Sequence, residues 1–127
     1  MTREDKELLL KDLCARLPYG VKMNHIADDE HSPKTLIGVA KDMITLEGLG
    51  GYECVDVEHY KPYLFPLSSM TEEQIKEFNS ITQKCNTYIG KSILLTDFCN
   101  KHHIDWRGFI EKGLAEDATD KNIYDYL

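Results

Sequence analysis

The chain has 127 residues, 42% of them hydrophobic and 29% charged, with a formal net charge of −7. Such a length suits one domain with a core that needs no disulfide or metal staple, and the composition excludes wholesale disorder. A polyphosphate partner demands a basic face, so the charge balance weighs against nucleic acid.

Thr2 stands where a helix cap belongs, with Glu4 and Asp5 in the first turn, where the positive helix end favours carboxylates. Leu9, Leu10, Leu13, Cys14 and Leu17 follow at helical spacing and predict one apolar stripe, ended by Pro18 and Gly20. A stripe in so short a helix requires a partner surface, most simply a sheet. Hydrophobicity then alternates with a period near two, which predicts a β-meander with strands over 21–26, 35–40, 43–47, 52–57 and 63–67. Residues 27–33 read as a polar loop, and Gly48-Leu-Gly-Gly51 as a tight turn. Pro62 and Pro66 assign the fifth strand to a sheet edge. Five short strands suit a small bent antiparallel sheet of the SH3-like, partly open barrel kind; a flat meander packed on helices is the alternative.

The stretch 60–74 is the seam between β-rich and helical parts. Thr71-Glu-Glu-Gln74 is a capping box, flanked by Met70 and Ile75 at staple positions. Ile75, Phe78 and Ile81 or Thr82 supply the buried face of the helix that follows. A second helical stretch over 93–102 places Leu95, Phe98, Cys99 and His102 on one face. Residues 105–115 read as a short helix or turn bounded by Gly108 and Gly113. The last stretch, 116–127, is polar apart from Ile123, Tyr124, Tyr126 and Leu127, and stays loose unless those residues dock. The order predicts a single α+β domain: an N-terminal helix over 1–20, a β-rich part over 21–67 and a helical part over 68–127.

Cys14, Cys54, Cys85 and Cys99 form no Cys-x-x-Cys pair, and three of them fall on apolar faces. The expectation is reduced, mostly buried thiols, as in a cytoplasmic protein. The first residues lack the basic start and apolar core of a secretion signal. No apolar run approaches the roughly 20 residues that span a bilayer, so no membrane partner is expected.

Three strings carry a resemblance: LKDLCARLPYGVK at 10–22, KPYLFPLSSMTEEQ at 61–74 and HHIDWRGFIEKGLA at 102–115. Together they resemble a large group of small proteins from gut bacteria of the Bacteroides type, many carried by phages and other mobile elements. The likeness covers both ends and the seam, and is weaker over 23–57. It implies an origin and a compact fold, but no reaction, ligand or catalytic residue.

Among chemistry-bearing groups, Cys99, His102, His103 and Asp105 form the best metal candidate, since cysteine and histidine three apart share a helix face. A structural zinc site wants four ligands with a second Cys or His pair, which the neighbouring sequence does not supply. The competing reading leaves Cys99 and His102 in the helix stripe and His103 at its C-terminal end. His25, Asp28, Asp29, Glu30 and His31 gather metal-type ligands in one loop, without the glycine and spacing of an EF-hand. Gly48-x-Gly-Gly51 precedes a strand, so it is not a phosphate loop. Ser68 and Ser69 lie before a helix without a nucleophile elbow, where capping explains hydroxyls. Tyr52, Tyr60, Tyr63, Phe65 and Trp106 lack interleaved basic residues, which favours core or peptide-gripping roles over base stacking.

Three functions follow in order. The first is a non-enzymatic protein-interaction module, an accessory protein of a phage or mobile element, with another protein as partner and no cofactor. The second is nucleic-acid engagement, direct through Lys34 and Lys41 or Lys101, Arg107 and Lys112, or by acidic mimicry of DNA. The third is an enzyme or metal site around Cys99, His102 and His103.

Overall fold

The structure is a computed structural model that describes residues 1–27 and 32–124. Helix α1 (Arg3–Arg16) begins at Thr2, whose hydroxyl accepts the Asp5 N–H while the Asp5 carboxylate accepts the Thr2 N–H. A 3-10 turn over Leu17–Tyr19 and Gly20 then reverse the chain into the sheet. Strands β1 (Lys22–His25), β2 (Lys34–Val39), β3 (Met43–Gly48) and β4 (Gly51–Asp56) run antiparallel as a meander. Gly51 closes the β3–β4 turn at φ 106°, a conformation that any side chain would strain.

Strand β5 (Tyr60–Pro66) pairs antiparallel with β1. A 3-10 turn over Leu67–Ser69 leads to α2 (Glu72–Lys84), then α3 (Tyr88–Lys101) and two short strands, β6 (Ile104–Asp105) and β7 (Glu116–Asp117). Both short strands run parallel to β5. The α+β order is the one the sequence predicts, and the sheet stays open, with path β4-β3-β2-β1-β5-β6, rather than closing into a barrel.

β5 therefore is not an edge strand, contrary to the expectation drawn from its prolines. The Ile26 N–H bonds the His59 carbonyl, which sets the bonded β1–β5 pairs at odd-numbered β5 residues. Pro62, opposite Met23, falls at the position between them, where the ladder asks for no N–H. Pro66 pairs in register with Asp105 of β6, beyond the reach of β1. A proline at such positions removes no bond, so β5 lies inside the sheet.

The leucine stripe of α1 packs on this sheet. Leu9 and Leu13 join Val21, Met23, Leu36, Ile44, Leu46, Val57, Tyr60 and Leu64 in the main core, closed at one end by Phe109 and Leu114. A smaller core beneath α2 and α3 gathers Phe98, Cys99 and Ile104, with Phe78, Ile81 and Trp106 against it. Burial of this kind is the main stabilising term, about 1.5–3 kcal/mol for each large apolar side chain.

Cys14 lies outside the buried stripe. The α1 face turned inward instead carries Asp12 and Arg16, both fully buried. Asp12 accepts from Arg16 Nε at 2.7 Å and from Arg107 Nε at 2.9 Å, and Arg16 donates to the Ile104 carbonyl at 2.8 Å. This network ties α1 to β6 and to the turn after it. The cysteines also depart from expectation: all four are free, but Cys14 and Cys54 are exposed and Cys85 is half-buried, leaving Cys99 alone in the core. Among the described residues no helix is long and apolar enough to cross a membrane.

Candidate functional site

The end of α3 brings Cys99, His102, His103 and Asp105 close in sequence, and the fold turns each to a different neighbour. Cys99 faces the small core, and burial pushes its thiol pKa up. His102 leans on Phe98 with ring centres 4.7 Å apart, its Nε2 at 3.5 Å from a Glu77 carboxylate oxygen. His103 adopts a left-handed φ of 59°, which breaks the helix and throws its ring onto Tyr124, 3.8 Å away and nearly parallel. Burial, reinforced by the positive charge of Arg16, holds the His103 pKa down to about 4, so the ring is neutral near pH 7.

Asp105 has both carboxylate oxygens engaged, one by the Phe109 N–H at 2.8 Å and the other by the Ile110 N–H at 2.9 Å. Its role is to cap the 105–113 turn. Among the described residues, no group of three or more His, Cys, Asp or Glu is gathered to hold a metal ion. The acidic loop cluster at Asp28, Asp29, Glu30 and His31 lies outside the described residues. His25, at its near edge, sits edge-on to Tyr60 at 5.0 Å and stacks toward His59 at 6.3 Å.

Around the histidines lies a cavity of about 510 Å³. Thr71 and Gln74 at the start of α2, His102 and His103, and Asn122 and Tyr124 from the following segment line it. Its hydroxyls are already committed to local structure. Thr71 Oγ1 accepts the Gln74 N–H, completing the predicted capping box, and Ser69 donates to the Pro66 carbonyl. Neither is paired with a base that would activate it as a nucleophile.

Tyr124 is the residue that sequence reasoning missed. Its hydroxyl accepts the Lys22 N–H at 2.8 Å and donates to the Tyr63 carbonyl at 2.7 Å, bridging β1 and β5 across the ladder. Only its aromatic character amid polar neighbours marked it as able to dock.

A different surface is built by α2 and α3. Phe78, Ile81 and Phe98 bury the inner side of this hairpin, and the first turns of α3 are left uncovered. Tyr88 is 86% exposed, Ile89 73%, Ile93 57% and Leu94 46%. Ile81, Cys85 and Leu94 line a shallow groove of about 380 Å³ between the helices, with Lys84 and Glu77 at its rim. Between Glu77 and Asp97 the chain carries no carboxylate, only Lys84 and Lys91. The aromatic candidates divide differently: Tyr60 and Tyr63 are core residues, and Tyr52 is exposed on the edge strand β4. Trp106 donates its indole N–H to Asn100 and carries Arg107 over its ring.

Comparison with known protein families, curated proteins and solved structures finds no match to this chain.

Proposed function

We propose that this chain is a non-enzymatic protein-interaction module, an accessory protein of a phage or mobile element, and that it docks through the α2–α3 hairpin. The observation that carries the reading is the uncovered row Tyr88, Ile89, Ile93 and Leu94 on a helix whose buried residues are confined to its last turns. Contiguous exposed aliphatic and aromatic side chains on a projecting element mark a partner surface more often than they mark solvent-facing decoration. The charges around this face are Lys84 and Lys91 flanked by Glu77 and Asp97, so it offers both signs to the polar rim of a partner's apolar contact. The buried or capping roles of Cys99, Asp105, Ser69 and Thr71 support a binding protein over an enzyme.

The test compares capture from the native cell by the intact chain and by the Ile89→Asp, Ile93→Asp double variant. Both positions are exposed, so the two substitutions together keep stability within about 1 kcal/mol. A protein retained by the intact chain and lost by the variant supports docking at this face. The same protein retained by both places docking elsewhere. Micromolar DNA binding that weakens steeply with salt moves nucleic-acid engagement to first place.

A further inference from the structure

The segment 118–124 lines one side of the cavity and is hydrogen-bonded to the sheet at its two ends. At one end the Ala118 N–H bonds the Leu64 carbonyl at 2.8 Å. At the other, Tyr124 inserts its hydroxyl between Lys22 and Tyr63. The hydrogen bonds described between those ends are local, the Asp117 carboxylate accepting the Thr119 N–H and the Lys121 N–H reaching the Ala118 carbonyl, and the Lys121 ammonium stands 5.9 Å from the Tyr63 ring. Asp120 and Asn122 hold left-handed φ angles of 62° and 52°, so the segment is a chain of tight turns with no ladder of its own.

The Tyr124 ring fills the space between His103, stacked at 3.8 Å, and Phe65, tilted at 5.8 Å. A hydroxyl is the group this position requires. It must accept from an amide and donate to a carbonyl at once, which neither a water-excluding methyl nor a lone carbonyl can do.

We propose that the 118–124 segment is a strap with Tyr124 as its plug, covering the His103 ring at one side of the cavity and opening as a unit while the β1–β2 pairing stays intact. Local openings of this kind belong to segments with few buried apolar contacts and few long-range bonds. Opening uncovers the His103 ring and frees a donor–acceptor pair across β1 and β5 that another hydroxyl-bearing aromatic group can fill.

Amide hydrogen exchange on the full chain tests the proposal. The Lys22 N–H reports on the strap, and the Leu36 N–H, bonded to the Val21 carbonyl at 3.0 Å, reports on the neighbouring strand pairing. Lys22 is expected to exchange faster than Leu36 in the intact chain. Tyr124→Phe, which keeps the ring and removes the hydroxyl, is expected to speed Lys22 about tenfold and leave Leu36 unchanged. In Tyr124→Ala, p-cresol is expected to restore Lys22 protection, whereas toluene, which lacks the hydroxyl, does not. Equal exchange of Lys22 and Leu36 in the intact chain overturns independent opening. An unchanged Lys22 in Tyr124→Phe, or equal rescue by toluene, overturns the role of the hydroxyl as plug.

Discussion

Arg16 and Asp12 show how little a charge pattern in sequence says about burial. Their i, i+4 spacing allows an ion pair on any helix face, and here both are fully buried, with Arg107 completing the cluster from 95 residues away in sequence. Arg16 Nη1 has no hydrogen-bond partner among the described residues, so the network is not saturated. Asp12→Ala leaves two guanidinium groups uncompensated, one of them in the core. It is expected to lower unfolding free energy by about 3 kcal/mol in a denaturant titration, since breaking a buried pair costs more than the pair is worth. A loss below about 1 kcal/mol would show that water reaches Arg16.

His103 gives a second expectation at this scale. Its folded pKa, about 4, lies below the ordinary 6.5, so the unfolded chain takes up the proton first on acidification. The contribution is fully present above about pH 6.5 and is lost as pH falls through about 4. An NMR titration of the His103 ring should give a midpoint near 4 in the intact chain, moving toward 6.5 in Tyr124→Ala as the stacked ring is removed. A midpoint near 6.5 in the intact chain would mean that the ring is solvated.

At the level of elements, period-two alternation located β1 to β4 to within a residue or two, and β3 shows its physical origin, with Ile44 and Leu46 buried and their neighbours turned outward. The capping box at Thr71 located the start of α2, because it is a local arrangement complete within four residues. Thr71→Ala is expected to cost about 1 kcal/mol and to fray the first turn of α2, read as lost protection at the Gln74 amide. Unaltered protection there would mean that packing of Phe78 and Ile81 alone fixes the turn.

Other elements were illegible for stated reasons. α3 starts at Tyr88, five residues before the predicted onset, because Thr87 caps it through the Gly90 N–H while its first turns carry no buried stripe to betray a period. Ile75 sits at a staple position but stays 43% exposed, since α2 turns Phe78 and Ile81 into the smaller core instead. β6 and β7 are two residues each, too short to show any alternation, and they exist only because β5 offers its ladder to them. Of the candidate site, the histidine pair was readable as a cluster. The partner that positions it, Tyr124, was not, because its bonds span 102 and 61 residues and no local pattern encodes them.

The whole molecule combines a sheet core, a smaller helical core and a segment over 118–124 tied to β1 and β5 by Tyr124, and its four thiols sample these parts at different depths. Cys14 on α1 and Cys54 on β4 are exposed, Cys85 at the end of α2 is half-buried, and Cys99 belongs to the smaller core. Modification requires the thiolate and access together, and at Cys99 burial suppresses both. A thiol reagent at neutral pH should therefore modify Cys14 and Cys54 rapidly in the native chain and Cys85 more slowly. Cys99 should react only through opening of the α2–α3 core. Adding denaturant well below the unfolding midpoint separates two origins for that last phase. If the helical pair opens on its own, the Cys99 rate rises before the Leu36 amide loses protection; if the two cores unfold together, both follow one denaturant dependence. The packing of Phe78, Ile81 and Trp106 on Cys99's neighbours, separate from the α1–sheet cluster, leads us to expect the first pattern. A single fast phase for all four thiols would contradict the burial of Cys99 and reopen it as a reactive cysteine.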